Sequence, residues 1–376
     1  MQILCITNDF GPRAGGIETF VIGLIERFPK NSILVYTSQQ GDTTAYDKGW
    51  MEKYGVEVIR DKSTMLLPSP RVARSINSLV RERNITQAWF GAAAPLALLA
   101  RGLRKSGVKE IVALTHGHEV WWAKIPPFSY AMRSIGRHVD HLTYLGEFTK
   151  GEISKALTPK AKEAMVKIAP GIDVDHFKPI DSTSLRQELG LSNKKVIISV
   201  GRLVPRKGQD VLLRALPRIV DKVPNAHVLM VGEGSYKKKL EKIIKKNGCA
   251  QHVTFTGRIQ YAELPQYISA GDVFVMPSRS RLAGLEVEGL GIVYLEASAC
   301  GLPVVAGDSG GAPDAVKESI TGFVVDGKSV ESVAQATCEI LKNESLATSM
   351  GQAGRRWIVE EWRWQIWSEK FLNLFK

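Results

Sequence analysis

The stretch Lys195–Val223, KVIISVGRLVPRKGQDVLLRALPRIVDKV, contains an apolar run, a loop with Gly and Pro, and an amphipathic segment, in that order. The apolar run is short and rich in β-branched residues, which predicts a buried strand, and the later segment has helical spacing of its apolar residues. A buried strand followed by a helix is the repeating unit of a parallel sheet covered on both faces. This stretch therefore predicts an α/β fold.

The same order recurs along the chain. Further strands are predicted in the first half at QILCIT, SILVYT, VEVIR, AWFG, EIVALTH and HLTYLG, and in the second at HVLMVGEG, HVTFTGR, VFVMPS, PVVAG and GFVV. A chain of 376 residues is longer than one ordinary core supports. We expect two Rossmann-like domains, residues 1–169 and 170–355, with a C-terminal helix at about 356–376 packing back on the first.

The composition and net charge of the chain limit the classes of protein to which it can belong. Hydrophobic residues make up 44% and charged residues 23%, as in a soluble globular protein, and no apolar run approaches the length of a membrane span. The first residues resemble a strand rather than a signal peptide, and the four scattered cysteines indicate reduced thiols in the cytoplasm. The net charge of +12 is compatible with nucleic acid, an anionic membrane surface or a phosphorylated substrate.

Two segments of the second half contain candidate ligand-binding residues. In GRLVPRKGQD, Arg202 and Lys207 follow a strand, where cationic side chains could reach a diphosphate or could simply be exposed loop cations. In EGLGIVYLEASACGLPVVA, Glu288 and Glu296 are a little over two helical turns apart, a spacing that puts them on neighbouring parts of the surface, with one carboxylate at the loop and one a few turns into the helix. The glycines between them suit a helix N-terminus that accepts an anion, so a sugar nucleotide is a fitting ligand.

Two loops of the first half have similar properties. Gly15 and Gly16 lie between a strand and a helix, where backbone amides can approach a phosphate or a sugar, although an ordinary tight turn also uses glycine. His116 and His118 follow another strand, and their close spacing argues against a metal site. We therefore interpret this pair as supplying a histidine that is catalytic or contacts the sugar, rather than a metal ligand.

Together these motifs resemble the retaining family-4 glycosyltransferases of the GT-B fold, in which two Rossmann-like domains face each other across a cleft. The resemblance rests on the Gly-Gly loop, PGID, GRLVPRKG, VTFTGRI, the E-x7-E pair and ACGLPVVAGDSGGAPDAV, which occur in the family's order over nearly the whole chain. TNDFGPRAGGIE, THGHEVWW and GLEVEGLGIVYLEASACG resemble the group that transfers mannose from GDP-mannose to phosphatidylinositol monomannoside in actinobacteria.

The resemblance implies roles for the candidate residues. Arg202 and Lys207 would neutralise the donor diphosphate, Glu296 would hold the ribose, and Glu288 would contact the transferred sugar. Other donor contacts would come from the base-contacting Ile259, from Gly15 and Gly16, and from the backbone of Gly289, Leu290, Gly291 and Ile292. His116 would contact the reacting face of the sugar, and Asp9 and His118 would lie on the acceptor side.

The resemblance also implies a metal-independent reaction without a cofactor and a lipid acceptor at the cytoplasmic membrane face. The segment SPRVARSINSLVRER, in which Arg71, Arg74, Arg81 and Arg83 frame Val72, Ile76, Leu79 and Val80, is a candidate membrane-contacting helix. Its periodicity equally fits a surface helix whose apolar stripe faces its own sheet.

Three alternatives remain at this point. The first is a family-4 transferase that uses UDP-glucose or UDP-N-acetylglucosamine with another glycan or lipid acceptor. The second is a sugar-nucleotide epimerase on the same fold, against which the intact GRLVPRKG and E-x7-E patterns argue. The third is a basic nucleic-acid-binding protein, for which the chain contains no recognised motif.

Overall fold

The computed structural model describes residues 2–12 and 15–376. The chain divides into two compact units, Met1–Gly171 with Trp364–Lys376, and Ile172–Arg363. Within the described ranges, no helix combines the length and the apolar character that a membrane crossing requires.

The first unit contains, within the described residues, a seven-stranded sheet in which all paired strands are parallel. Its strands are β1 Ile3–Thr7, β2 Ile33–Ser38, β3 Glu57–Asp61, β4 Gln87–Phe90, β5 Glu110–Ala113, β6 His141–Tyr144 and β7 Met165–Lys167. Their order is β3-β2-β1-β4-β5-β6-β7. The first six confirm the predicted strands, whereas β7 was missed because three residues are too few to show a pattern.

Helices connect these strands. They are α1 Gly16–Ile25, α2 Thr44–Tyr54, α3 Pro70–Glu82, α4 Ala100–Lys105, α5 Glu119–Lys124, α6 Phe128–His138, α7 Glu147–Ser154 and α8 Pro159–Glu163. Helix α3 begins where Ser69 accepts a hydrogen bond from the backbone N–H of Val72, with Pro70 in the first turn.

The apolar stripe of α3 faces the core of its own unit. Its residues pack among the buried side chains of the sheet and its neighbouring helices: Val72, Ile76, Leu79 and Val80. The interpretation that these residues contact lipid is therefore wrong, because burial in the core already removes them from water. The alternative, a surface helix packed on its own sheet, is confirmed.

The second unit, in which every residue is described, contains a six-stranded parallel sheet. Its strands are β8 Lys195–Val200, β9 Ala226–Val231, β10 Val253–Gly257, β11 Val273–Met276, β12 Val304–Gly307 and β13 Gly322–Val325, as predicted. Its helices are α9 Thr183–Glu188, α10 Gln209–Lys222, α11 Lys237–Asn247, α12 Leu264–Ser269, α13 Ile292–Ala299, α14 Val330–Lys342 and α15 Glu344–Glu361.

The strand order of the second sheet, β10-β9-β8-β11-β12-β13, is that of a doubly wound dinucleotide-binding fold. The order reverses beside β8, whose neighbours are β9 and β11, just as it reverses beside β1 in the first sheet. In open α/β sheets, ligands bind outside the carboxyl ends of the strands at this switch point. In the second unit, the loops after β8 and β11 therefore flank the expected ligand position.

The C-terminal segment differs from the expected single helix at 356–376. Helix α15 ends at Glu361 within the second unit, and a separate helix, α16 Trp364–Leu372, belongs to the first. Phe371 of α16 packs edge-on against Trp89, with ring centroids 5.0 Å apart. The chain therefore returns to the first unit at Trp364, where the guanidinium of Arg27 lies 4.4 Å from the indole centroid.

Candidate active site

The loop after β8 carries the predicted cations to the switch point of the second unit. A short 3-10 turn, Pro205–Lys207, is followed by Gly208, which has φ of 73° and precedes α10. A Cβ atom on Gly208 would lie 1.8 Å from the carbonyl oxygen of Pro277, just after β11. Only glycine combines this dihedral angle with so close an approach, so the turn packs directly against the end of β11 and buries Lys207.

Glu288 lies in the loop before α13 rather than on the helix. The helix begins at Ile292, and Gly291 before it has φ of 79°. One carboxylate therefore lies at the loop and the other, Glu296, on the helix, as the glycines between them indicated; the left-handed Gly291 separates the two segments, so the two glutamates do not share one helix surface. The backbone N–H of Glu288 donates to the Ser309 hydroxyl at 3.2 Å, which fixes the loop.

A buried ion cluster forms around Glu288. Lys207 Nζ lies 2.9 Å from Glu288 Oε2, and Arg206 Nη1 donates to the same oxygen at 3.1 Å. Burial by itself would raise the pKa of the Glu288 carboxyl, but the charges of Lys207 and Arg206 outweigh it and lower the pKa. Glu288 is therefore a carboxylate at neutral pH.

The pKa of Glu296, on α13, is shifted in the opposite direction. It is buried, and burial raises the pKa of its carboxyl to about 7, although the charge of Lys207 partly offsets the rise. A carboxyl with this pKa exists in both protonation states near neutral pH. The two glutamates of the E-x7-E pair therefore differ in protonation because they differ in the number of nearby cations.

Arg206 was not among the predicted site residues, although it is adjacent to Lys207. Its partner is distant in sequence, so only the fold reveals the contact with Glu288. Arg202, which was predicted, is exposed, and the structure shows no ion pair of its guanidinium within the described residues. Its charge nevertheless contributes to lowering the pKa of Glu288.

The remaining predicted donor contacts of the second unit lie at the carboxyl ends of its strands. Gly289 and Leu290 follow Glu288 in the loop, and Gly291 and Ile292 form the start of α13. Ile259 follows β10 and is half-buried. Free backbone N–H groups at the start of a helix favour an anion, so these positions remain candidates for a phosphate contact.

In the first unit, Asp9, Gly15 and Gly16 follow β1. The backbone N–H of Asp9 donates to the Thr7 hydroxyl at 2.8 Å. Gly15 precedes α1 in an extended conformation, and a Cβ on Gly16 would meet no atom within 4 Å. The backbone at Gly16 is therefore open on this side, whereas a Cβ on Gly15 would lie 2.3 Å from Glu18 Oε2.

His116 and His118 follow β5 and lie close together, with ring centroids 6.3 Å apart. His116 Nε2 lies 2.5 Å from the Gly91 carbonyl oxygen, so Nε2 carries the proton of the neutral ring. Burial lowers the pKa of His116, despite the opposing charge of Glu119. The buried Glu119 accepts the backbone N–H of His116 at 2.9 Å and lies 3.3 Å from His118 Nε2.

Among the described residues, no group of three or more His, Cys, Asp or Glu side chains is arranged to hold a metal ion. The D-x-D pattern of Asp173 and Asp175, which resembles a metal-binding motif in the sequence, forms a turn. Asp173 Oδ1 accepts the backbone N–H groups of Asp175 and His176 at 3.1 and 3.0 Å. This carboxylate is therefore engaged in local structure.

Comparisons with known proteins support the interpretation of the fold and of the family. Residues 181–357 match the family described as glycosyl transferases group 1. The chain is 43% identical to the "GDP-mannose-dependent alpha-(1-6)-phosphatidylinositol monomannoside mannosyltransferase" of Mycolicibacterium smegmatis, covering 99% of this chain and 97% of the relative. It is 40% identical to the monoacylated-substrate counterpart from Corynebacterium glutamicum, covering 100% and 98%.

Solved structures show the same fold. The Anabaena HepE protein in complex with UDP superimposes with a TM-score of 0.83 at 20% identity, over 100% of this chain and 99% of that one. Sucrose-phosphate synthase from Thermosynechococcus elongatus gives 0.78 at 19% identity, over 100% and 98%. The chain therefore belongs to the glycosyl transferases group 1 family and is a glycosyltransferase of the GT-B fold.

Proposed function

We propose that the protein transfers mannose from GDP-mannose to phosphatidylinositol monomannoside, with retention of configuration, to give the dimannoside. The observation that carries this proposal is identity of 40–43% over essentially the full chain to enzymes named for that reaction. The buried Lys207–Glu288 pair at the switch point supplies a cation and a carboxylate suited to a sugar diphosphate.

The chemistry proposed for the second unit is charge stabilisation. As the bond between the sugar C1 and the phosphate oxygen breaks, negative charge develops on GDP, and Arg202 and Lys207 would stabilise it. Loss of one such donor costs about 3–4 kcal/mol of transition-state stabilisation in other enzymes. These two cations would supply the positive charge without a metal ion or a cofactor.

The donor's hydroxyl groups and base would be recognised by neighbouring groups. Within the described chain, no hydrogen bond reaches Glu288 Oε1, which makes this oxygen the acceptor for a hydroxyl of mannose. Glu296 would hold the ribose hydroxyls. The amides of residues 289–292 would support the phosphate and the sugar, and Ile259 would contact the base.

For the first unit, we propose that His116 contacts the transferred sugar, that Gly15 and Gly16 contact the donor phosphates, and that Asp9 and His118 contact the acceptor. The acceptor oxygen would bond to C1 on the face that the phosphate leaves, and its proton would pass to the leaving phosphate oxygen. This route needs no separate protein base. It fits the neutral His116, whose Nε2 proton is already donated to Gly91.

The acceptor is a lipid, so we propose peripheral association with the cytoplasmic face of an anionic membrane. The supporting features are the net charge of +12 and two exposed apolar side chains, Met65 and Leu67, in the loop between β3 and α3. Arg74, in the first turns of α3, is exposed close to this loop in sequence, and Arg81 is exposed at the other end of the helix. Arg71 is less available, because it forms an ion pair with the buried Asp61 at 2.6 Å.

The test is transfer of labelled mannose from GDP-mannose to phosphatidylinositol monomannoside in mixed micelles, with UDP-glucose and UDP-N-acetylglucosamine in parallel. We expect dimannosylated lipid from GDP-mannose alone. Lipid product from a UDP-sugar instead would favour the alternative transferase. Release of GDP without a lipid product would retain the donor and contradict the acceptor.

A further inference from the structure

Two consecutive cations converge on one oxygen of Glu288. Lys207 Nζ and Arg206 Nη1 lie 2.9 and 3.1 Å from Oε2. The side chains of Lys207 and Glu288 are each 10% exposed, so water provides little solvation for either charge. One cation is enough to neutralise the Glu288 carboxylate, so the second cation needs a separate explanation.

The proposed function gives Lys207 two anionic partners. Without a donor it is paired with Glu288, whereas with a donor it is required at the diphosphate. If Glu288 had no other cation, the transfer of Lys207 would leave a buried carboxylate without a counter-charge, which is strongly unfavourable. Glu288 and the diphosphate would then compete for the same ammonium group.

Arg206 is held in place independently of Lys207. Besides Glu288, its Nη1 lies 3.5 Å from the Val287 carbonyl oxygen, and its Nε lies 4.0 Å from Glu286 Oε1. Its own carbonyl oxygen accepts the backbone N–H of Arg279 at 2.8 Å, which ties it to the segment after β11. A guanidinium is always charged and presents several N–H donors in a fixed plane.

We propose that Arg206 is a positioning residue that keeps Glu288 neutralised and in place when Lys207 turns from Glu288 to the donor diphosphate. This inference rests on the proposed donor. Arg206 acts through Glu288 and does not itself bind the ligand. Arg202 differs from Arg206, because it is exposed and forms no ion pair with Glu288 within the described residues. Its proposed role is direct contact with the diphosphate.

The test is a double-mutant cycle on GDP binding, measured by titration calorimetry with the full chain. Arg206→Gln is expected to weaken GDP binding about tenfold or more, because Glu288 then retains Lys207. Glu288→Gln is expected to bind GDP at least as tightly as the wild type. The double variant Arg206→Gln/Glu288→Gln is expected to bind within about threefold of Glu288→Gln, because no buried carboxylate remains to be neutralised.

Two further variants separate positioning from direct contact. Arg206→Lys keeps a charge near Glu288 and is expected to recover most of the GDP affinity. Arg202→Gln, the matched control, is expected to weaken GDP binding in the wild type and also in the Glu288→Gln variant, because its contact with phosphate is direct and only its charge, not an ion pair, links it to Glu288. Thermal unfolding of each variant shows whether it is folded at the temperature of the titration.

The outcomes distinguish this inference from the proposed function. Wild-type affinity in Arg206→Gln, or a double variant as weak as Arg206→Gln alone, overturns the positioning role. A folded wild-type protein that binds no GDP overturns the donor assignment itself and the inference with it. Suppression by Glu288→Gln together with rescue by Arg206→Lys supports the inference.

Discussion

At the residue scale, the site is organised by the unequal sharing of charge between two glutamates. Glu288 has two cations on one oxygen, and its pKa is lowered despite burial. At Glu296 the charge of Lys207 offsets burial only in part, so burial prevails and the pKa of the carboxyl rises to about 7. The sequence showed both carboxylates but not this difference, because protonation depends on partners that are distant along the chain.

The raised pKa of Glu296 predicts a pH dependence of stability in the ligand-free protein. From the ordinary value of 4.5 to about 7, the unfolded chain has released this proton and the folded chain retains it, so stability falls as pH rises. Glu296→Gln removes this loss, which amounts to about 3 kcal/mol once the pH exceeds 7. We expect the melting temperature of the variant to exceed the wild-type value by more at pH 8 than at pH 5.

The lowered pKa of Glu288 supplies the control for that experiment. Its stabilising contribution is present above the ordinary pKa and is lost on acidification, the reverse of Glu296. Glu288→Gln should therefore be less stable than the wild type at pH 8, with a smaller difference at low pH. An equal change in melting temperature for Glu296→Gln at both pH values would contradict the assigned titration.

Loss of Lys207 should remove most of the activity. Lys207→Ala is expected to lower kcat/KM for GDP-mannose by about 10²–10³, because one donor to the developing charge is lost. Lys242→Ala, an exposed lysine on α11, provides the matched control and should retain wild-type turnover. Near-normal rates in folded Lys207→Ala would contradict the site assignment.

At the element scale, sequence patterns identify the longer elements and miss the short ones. The apolar runs predicted every strand except β7, and the amphipathic spacing predicted α3 and α10. Short helices such as α5 and α12, of six residues each, do not complete enough turns to show a period. The sequence also did not decide whether the apolar stripe of α3 faces lipid or the protein core, because both environments favour the same apolar residues.

The turn between β8 and α10 should be intolerant of a side chain. Gly208→Ala places a methyl group at a positive φ and against the Pro277 carbonyl oxygen, so we expect a loss of more than about 2 kcal/mol in the free energy of unfolding. Gly190, with φ of 68° and no atom within 4 Å of an added Cβ, is the matched control. Gly190→Ala should cost about 1 kcal/mol. Equal losses of stability in the two variants, measured by chemical denaturation, would show that the positive φ accounts for the whole effect and that the contact with Pro277 adds nothing.

The loop between β3 and α3 gives a sharper membrane test than the arginines of α3. Met65 and Leu67 are 58% and 53% exposed, so replacing both with serine should leave the fold intact. We expect several-fold weaker sedimentation with phosphatidylinositol-containing vesicles, because less apolar surface enters the interface. Met51→Ser, which alters another exposed methionine of the first unit, is the control. Unchanged sedimentation of the double variant would exclude this loop as the contact.

At the scale of the whole molecule, the alternation of strands and helices was sufficient to predict two α/β units, and motif order was sufficient to indicate the family. The last part of the chain was expected to form one helix at about 356–376 on the first unit, whereas the structure has two helices there, and the chain belongs to the first unit only from Trp364. The tryptophans of this segment are periodic across 356–376, so the pattern continues through the break at Trp362–Arg363, where the chain leaves the second unit. Such a break depends on tertiary packing, which the period of apolar residues does not encode.

The return of the chain at Trp364 has a consequence for biosynthesis. Residues 2–171 emerge from the ribosome before the second unit, yet the aromatic surface formed by Phe28 and Trp89 lacks Phe371 until α16 has been translated. The entire second unit is synthesised in that interval and has all of its own strands available. The first unit is therefore completed only after the second has been synthesised, and during that interval its aromatic surface around Trp89 remains exposed to non-native contacts.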